Sequence, residues 1–450
     1  MDNLHYMPRT LLSTCLLLTP LAALADSPAW NNAVNTPPSD WQGPTFELSD
    51  EYPTEMPPAC TTATCPWLAI KLPDQVKSVD FNDTGVPNWS TEPVYNEYIT
   101  SILNYIKQGQ TMDLNNAEGL KINVDGQTRW YHIPWMAYAQ KTGREFVHGL
   151  TNERTAHLSD FYGVGAPSSD TGRGFETWAV GMYNDIGAYT VGQSFNSDGK
   201  PVLETINGIT STKGMPFNEG TVVVKFLFST VTPSDVDYLQ NSPKWQANRH
   251  VETKSGFEQC SRKVQDVHLV QVDVAVVDSR SPSRWVYGTF AYINNNGKSV
   301  WDNLQPVGLQ WGMDPWTFPA VPKDESITAR QSVLNTSIRH YEHFGCEGRL
   351  AGPVDNKLSS CLSCHAGAYA NPDDSNPQMG VTIPPIFGFD GLCEQYSQEN
   401  VNYFQTTQFP QAYSGGNYPE LLNLDTSLQM QIAVQEQAKY AANSPRECEE

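Results

Sequence analysis

The stretch VHLVQVDVAVVD, Val267 to Asp278, is the one whose reading decides the fold. It is rich in β-branched residues with partial apolar and polar alternation, the pattern of a strand. TVVVKFLFST (Thr221 to Thr230) before it and RWVYGTFAYI (Arg284 to Ile293) after it read the same way. Each run ends in turn chemistry, most clearly NNNGK at Asn294 to Lys298, which points to a hairpin or a tight loop. The long connections between the runs favour an antiparallel or mixed sheet over regular βαβ units. Helical spacing occurs in three places. Tyr95, Ile99, Ile102, Leu103 and Ile106 predict a helix near residues 93 to 108, SITARQSVLNTSIRHYEHFG predicts one between Ser326 or Thr328 and Gly345, and TSLQMQIAVQEQAKYAANS predicts one near the C-terminus. The expected fold class is α+β, a predominantly antiparallel β-sheet body with flanking helices and a distinct C-terminal segment.

The first residues bear on the compartment. Arg9 is followed by LLSTCLLLTPLAALA, Leu11 to Ala25, an apolar run of signal-peptide length ending in Ala-Leu-Ala before Asp26. Ser13, Thr14 and Pro20 interrupt it, which argues against a membrane anchor. A lipid anchor at Cys15 is disfavoured because that cysteine lies inside the apolar run. Residues 1–25 are therefore expected to be a cleaved signal peptide, the mature protein to be exported to the periplasm, and no later span is expected. The net charge of −21 is unchanged by removing that leader and argues against nucleic acid or anionic lipid as partner. Within the mature chain we expect an extended N-terminal segment plus helix over 26–125, a β-rich body over 126–345, and a C-terminal unit over 346–450.

That unit contains SSCLSCHAGAYANP, Ser359 to Pro372. Cys-x-x-Cys-His reads as a disulfide, half a zinc site, a redox dithiol or a covalent haem anchor. Zinc needs about four ligands, and the chain holds no second Cys-x-x-Cys. A thioredoxin-like pair sits at a strand-to-helix junction and does not require the histidine, whereas the surrounding GPVDNKLSSCLSCHAGAYANP is polar and turn-rich. Haem attachment accounts for all three residues. Thiols at i and i+3 lie on one side of a helical turn, and the adjacent histidine reaches the iron from that side. One motif implies one covalent haem c, held by Cys361 and Cys364 with His365 as proximal iron ligand, and makes 346–450 the haem-binding segment with its C-terminal helix. With Cys15 in the leader, six further cysteines remain, an even number compatible with three disulfides. Cys60 and Cys65 are the natural pair, while Cys260, Cys346, Cys393 and Cys448 allow three connectivities.

PFNEGTVVVKFLF (Pro216 to Phe228), WVYGTFAYINNNGK (Trp285 to Lys298) and CLSCHAGA together resemble the cytochrome P-460 and cytochrome c′-beta family over roughly residues 210–370. The resemblance implies a haem c against an antiparallel sheet, His365 as proximal ligand and a distal side open to small molecules. In P-460 members a lysine is cross-linked to the macrocycle, and Lys225 is the candidate here; the alternative, taken as the expectation, is a surface lysine on a strand.

The second axial position has several candidates. Met379 in NPQMGVTIPP is a possible distal thioether, although it lies only 14 residues beyond His365. Met430 sits among apolar helical neighbours and reads as core. His132, His148 and His157, with Arg144, Glu145, Glu153 and Arg154 nearby, form a local cluster that either supplies a ligand or an acid–base group or is structural, and the structural role is expected. His340 and His343 share a face of the predicted helix without a further ligand, and His268 reads as a satisfied buried residue. Trp285, Tyr287, Trp301, Trp311 and Trp316 line a haem pocket if one is there, and are otherwise bulk of the β core.

The function expected from these residues is one-electron transfer with another exported redox protein. The alternative is a haem enzyme or gas-binding protein acting on hydroxylamine, nitric oxide or peroxide as small-molecule ligand; a third is an accessory haem on a body that binds something else. A single haem is little cargo for about 425 residues, so the β body must shape its pocket or bind a substrate or partner. Haem staining after denaturing electrophoresis is expected to be positive for the wild type and negative for the Cys361→Ala, Cys364→Ala double variant. Stain retained by the double variant would remove the anchor.

Overall fold

The computed structural model describes residues 38–42, 49–72, 87–112, 120–127, 129–135, 150–162, 174–253, 256–297, 299–314, 329–338, 345–371, 393, 403–404 and 421–442. The leader, Arg144, Glu145, His148, Trp316, His340, His343, Met379 and Cys448 lie outside the described residues.

A nine-stranded antiparallel sheet dominates the fold. In chain order its strands are β1 (Trp130–His132), β2 (Leu150–Asn152), β3 (Thr177–Asn184), β4 (Val222–Ser229), β5 (Lys244–Thr253), β6 (Gly256–Val277), β7 (Trp285–Tyr292), β8 (Leu304–Gln310) and β9 (Ser332–Leu334). The order is β9-β8-β7-β6-β4-β3-β1, with β5 pairing the first half of β6 and β2 pairing β3. The three runs singled out in the sequence are β4, the second half of β6 and β7. The α+β class is borne out, with a large antiparallel sheet and a few helices.

Side chains alternate across each strand, so the register sorts them between two faces. Val222, Val224 and Phe226 of β4 stand beside Val276, Val274 and Val272 of β6 and point into one core. Val223, Lys225 and Leu227 stand beside Ala275, Asp273 and Gln271 and point to the other face. Both faces are covered, so the central strands read as nearly continuous apolar runs with only partial alternation.

Helix α1 (Val94–Ile106) covers the first face, burying Tyr95, Tyr98, Ile99, Ile102, Leu103 and Ile106. Gly288 on β7 admits it: a β-carbon there would approach Ile99 Cδ1 to 3.0 Å. Tyr98 donates to the buried Asp278 carboxylate at 2.8 Å, and Asp278 is paired with Arg280. The Arg280 guanidinium also donates to the carbonyls of Trp67 and Ile70, which ties the N-terminal segment onto the same face. Cys60 and Cys65 close a disulfide loop in that segment, as expected, with a Cα separation of 5.7 Å. A second disulfide joins Cys346 to Cys393, which selects among the connectivities left open; Cys260 is also disulfide-bonded.

The other face is covered by α3 (Cys361–His365) and α4 (Leu428–Ala442), with α2 (Asp185–Ser194) beside β3. Met430 is fully buried in this second core, as expected. The strands β7 and β8 form a hairpin whose connection contains NNNG and a short 3-10 turn at Trp301–Asn303. No helix among the described residues is long and apolar enough to cross a membrane.

The helix expected between Ser326 and Gly345 is corrected at its centre, where Ser332–Leu334 is the edge strand β9. Val333 pairs with Leu309 and Leu334 with Gly308, so backbone pairing with an open sheet edge outweighs a helical spacing of apolar residues. Phe226 is fully buried and packs edge-on against Trp301. Phe226→Ala is expected to lower the unfolding free energy by about 3–5 kcal/mol, measured by urea denaturation; a loss near zero would place the core elsewhere.

Candidate functional site

Helix α3 is capped by Ser360, whose hydroxyl accepts the Ser363 N–H at 3.1 Å. Gln310 on β8 holds the same turn from the sheet side, donating to Ser360 Oγ at 3.1 Å and accepting the Leu362 N–H at 3.1 Å. The sheet thereby places Cys361 beside Thr289 of β7, with Oγ1 and Sγ 3.9 Å apart. Cys361 and Cys364, one turn apart, are the free cysteines among the described residues.

His365 follows on the next position. Its Nδ1 lies 2.9 Å from the Thr426 carbonyl oxygen. A carbonyl only accepts, so Nδ1 carries the proton and Nε2 is left with its lone pair. Burial pushes the imidazole down to about 4, which keeps it neutral at physiological pH.

Cys361, Cys364 and His365 border one cavity of about 320 Å³. Its floor is the second face of the sheet. Gly181, Lys225, Asp273 and Thr289 are successive cross-strand neighbours on β3, β4, β6 and β7, and Tyr183, Val223, Ala275 and Tyr287 form the adjacent row. The start of α4 and the turn carrying Asp355 close the sides.

Lys225 is not the solvent-facing lysine expected from the strand. Its Nζ is 3.0 Å from Glu153 Oε2, and the side chain lines the cavity. The register requires this, because Lys225 has the parity of Asp273 and the opposite parity to the buried valines. Burial alone would lower its pKa; Glu153, Asp273 and Asp355 outweigh burial and raise it. Asp273 accepts from Thr289 Oγ1 at 2.8 Å and from Gln271 Nε2, which also reaches Asp355 Oδ2 at 3.0 Å. Burial and then the Asp355 charge hold the Asp273 carboxyl well above the usual carboxylate range.

Of the histidine cluster, the described members His132 and His157 are not among the cavity's lining residues. His132 is buried on β1, where its Nδ1 accepts the Ser49 N–H, and His157 caps the short helix Leu158–Phe161. Glu153 and Arg154 do line the cavity. His268 is half-buried and bonded to Ser242. Trp285 and Tyr287 line the cavity, whereas Trp301 and Trp311 belong to the core under α1. Sequence reasoning missed Asp273, Asp355, Arg284, Asp425 and Thr426. A signal was present for Asp273 alone, as a charge inside an apolar strand.

Among the described residues no group of three or more His, Cys, Asp or Glu side chains converges as a metal site, so the zinc reading finds no ligand set among them. A redox dithiol needs a stabilised thiolate. Here burial, with Asp355 and other acids, pushes Cys364 up to about 11 and Cys361 well above its ordinary value. A c-type haem fits the residues better. The thiols share one turn on the cavity wall, a neutral imidazole keeps one nitrogen bare, and a carbonyl orients that ring, as ligating histidines require. Gln429 Oε1, on the cavity wall, is buried with no hydrogen-bond partner among the described residues.

Because Asp273 ionises less readily folded than unfolded, it penalises the folded state increasingly as pH rises from about 4. Asp273→Asn removes that penalty but keeps the shape. At neutral pH its unfolding free energy is expected to exceed the wild type's by about 1–2 kcal/mol, the gain shrinking toward pH 4; a gain independent of pH would count against the charge argument. Compared with family models, curated proteins and solved structures, the chain matches none, so the site is read from its own chemistry.

Proposed function

We propose that this chain is an exported, periplasmic monohaem c-type cytochrome that exchanges single electrons with another exported redox protein. Cys361 and Cys364 would hold the macrocycle through thioethers, and His365 would bind the iron through Nε2. The observation that carries this reading is the shared wall: both thiols and an oriented, neutral imidazole border one cavity. The disulfide pattern supports it. In a chain where Cys60, Cys65, Cys346 and Cys393 are paired, the two cysteines of the motif are left as thiols although they are one turn apart. The haem would supply one-electron redox chemistry; the chain supplies its anchor, its axial ligand and a largely apolar, partly charged surround.

A specific observation favours a second reading, in which the same haem has an open distal side and acts on hydroxylamine, nitric oxide or peroxide. Lys225, Glu153, Asp273 and Asp355 all line the cavity. Groups able to hold and give protons beside a cavity serve a small polar ligand better than they serve outer-sphere electron transfer. The resemblance to the P-460 and cytochrome c′-beta family, with Lys225 as cross-link candidate, belongs to this reading.

Optical spectra of the purified protein, oxidised, reduced, and reduced under carbon monoxide, test both. Sharp low-spin bands unchanged by the gas are expected for a filled sixth position and electron transfer, and Met379→Ala should then convert the spectrum if that thioether fills it. High-spin bands that shift with the gas would instead select the open site. No haem absorbance at all would sink both readings.

A further inference from the structure

The turn that receives the His365 hydrogen bond is built against its own backbone preference. Asp425 and Thr426 have φ of 46° and 65°, and Arg284, which reaches the turn, has φ of 63°. A β-branched residue in the left-handed region is uncommon, and each such residue costs about 1–3 kcal/mol. The start of α4 does not require this conformation, because Ser427 Oγ already caps the helix by accepting the Met430 N–H at 3.1 Å. Toward the cavity the turn presents the Thr426 carbonyl, and that oxygen sits on His365 Nδ1.

We propose that the Arg284–Asp425 ion pair is a positioning device for His365, holding the Asp425–Thr426 turn in its strained form so that the Thr426 carbonyl orients the imidazole. The inference rests on the haem reading, and it assigns a role to residues on elements distant from the motif in sequence. Asp425 is almost fully buried and accepts from Arg284 Nη1 at 3.2 Å and from the Phe217 N–H at 2.8 Å. Arg284 Nη2 donates to the Phe217 carbonyl at 2.7 Å, which closes a ring of three residues around the carboxylate. Two cavity tyrosines add contacts outside the ion pair, to which the proposal assigns the hold: Tyr287 donates to Thr426 Oγ1 at 3.1 Å and packs its ring 4.9 Å from that of His365, and Tyr183 bonds Ser427 Oγ at 2.6 Å. The bonds of Arg284 and Asp425 hold the turn without involving His365 itself.

The consequence for an axial ligand has a sign. A carbonyl accepting from Nδ1–H makes the imidazole more electron-rich and stabilises the oxidised metal. Releasing the carbonyl should therefore make the iron easier to reduce. Arg284→Gln and Asp425→Asn keep approximate shape and remove the ion pair, whereas Arg284→Lys keeps a cation for Asp425.

The mature haem-loaded protein and these variants would be compared by redox titration and, where the reduced iron is five-coordinate, by the iron–histidine stretch in resonance Raman spectra. Arg284→Gln and Asp425→Asn are expected to shift the reduction equilibrium about threefold to tenfold toward the reduced form, tenfold being about 59 mV for one electron, and to lower the stretch. Arg284→Lys is expected to stay within about twofold of the wild type. Should the charge-removing variants fail to fold, Thr426→Gly keeps the carbonyl and tolerates the left-handed backbone; the proposal expects it to retain the wild-type potential. A large shift in Thr426→Gly would move the hold to the threonine side chain and overturn the proposal. So would covalent haem with unmoved potential and stretch in both charge-removing variants, which leaves the haem reading intact. A wild type negative in haem staining would overturn both.

Discussion

The antiparallel register between β4 and β6 is the constraint on which the rest of the site depends. Pairing Lys225 with Asp273 sends both to one face and sends Val224 and Val274 to the other. Side-chain direction has a period of two, so no intermediate arrangement exists. A slip of one residue would press the charged pair against α1 and turn the valines into the cavity. The core under α1 and the cavity under α3 are thus two outcomes of one pairing, and the apolar face enforces the polar one.

Burial then gives the cavity its chemical character. Charged groups removed from water are tolerated where their atoms are paired. Lys225 has Glu153, and the amide of Gln271 bridges Asp273 and Asp355. The same desolvation keeps His365 neutral and suppresses thiolate formation at Cys361 and Cys364. It therefore disfavours dithiol chemistry and favours a neutral ligand, which is why the proposed haem suits this wall better than a redox pair would. Two sequence-distant segments meet to orient that ligand, the turn before α4 and the residue before β7.

How much was legible follows from the range of each interaction. β4, the second half of β6, β7, the helix at Val94–Ile106 and the helix at Leu428–Ala442 have strong local patterns and form where those patterns place them, whereas the first half of β6 was not anticipated. The Cys60–Cys65 bridge spans five positions and needs little more than a turn. Ser332–Leu334 was misread because its apolar spacing suits a helix, while the partner that makes it a strand lies on β8. Lys225 was misread as a surface residue because a strand alone does not say which of its faces will be covered. Asp355, Asp425 and Thr426 lie in turns, where no periodicity exists to announce a role.

The sequence by itself determined the strand and helix segments, the acidic charge and the Cys-x-x-Cys-His unit, because these are set by neighbours one to four positions apart. Tertiary structure alone decided what faces that unit. Lys225, Asp273, Glu153 and Asp355 come from four separate segments, and the carbonyl on His365 comes from a residue 61 positions away. Strand register and the covering of both sheet faces bring them together, and both depend on contacts between residues far apart in the chain, which no local pattern encodes.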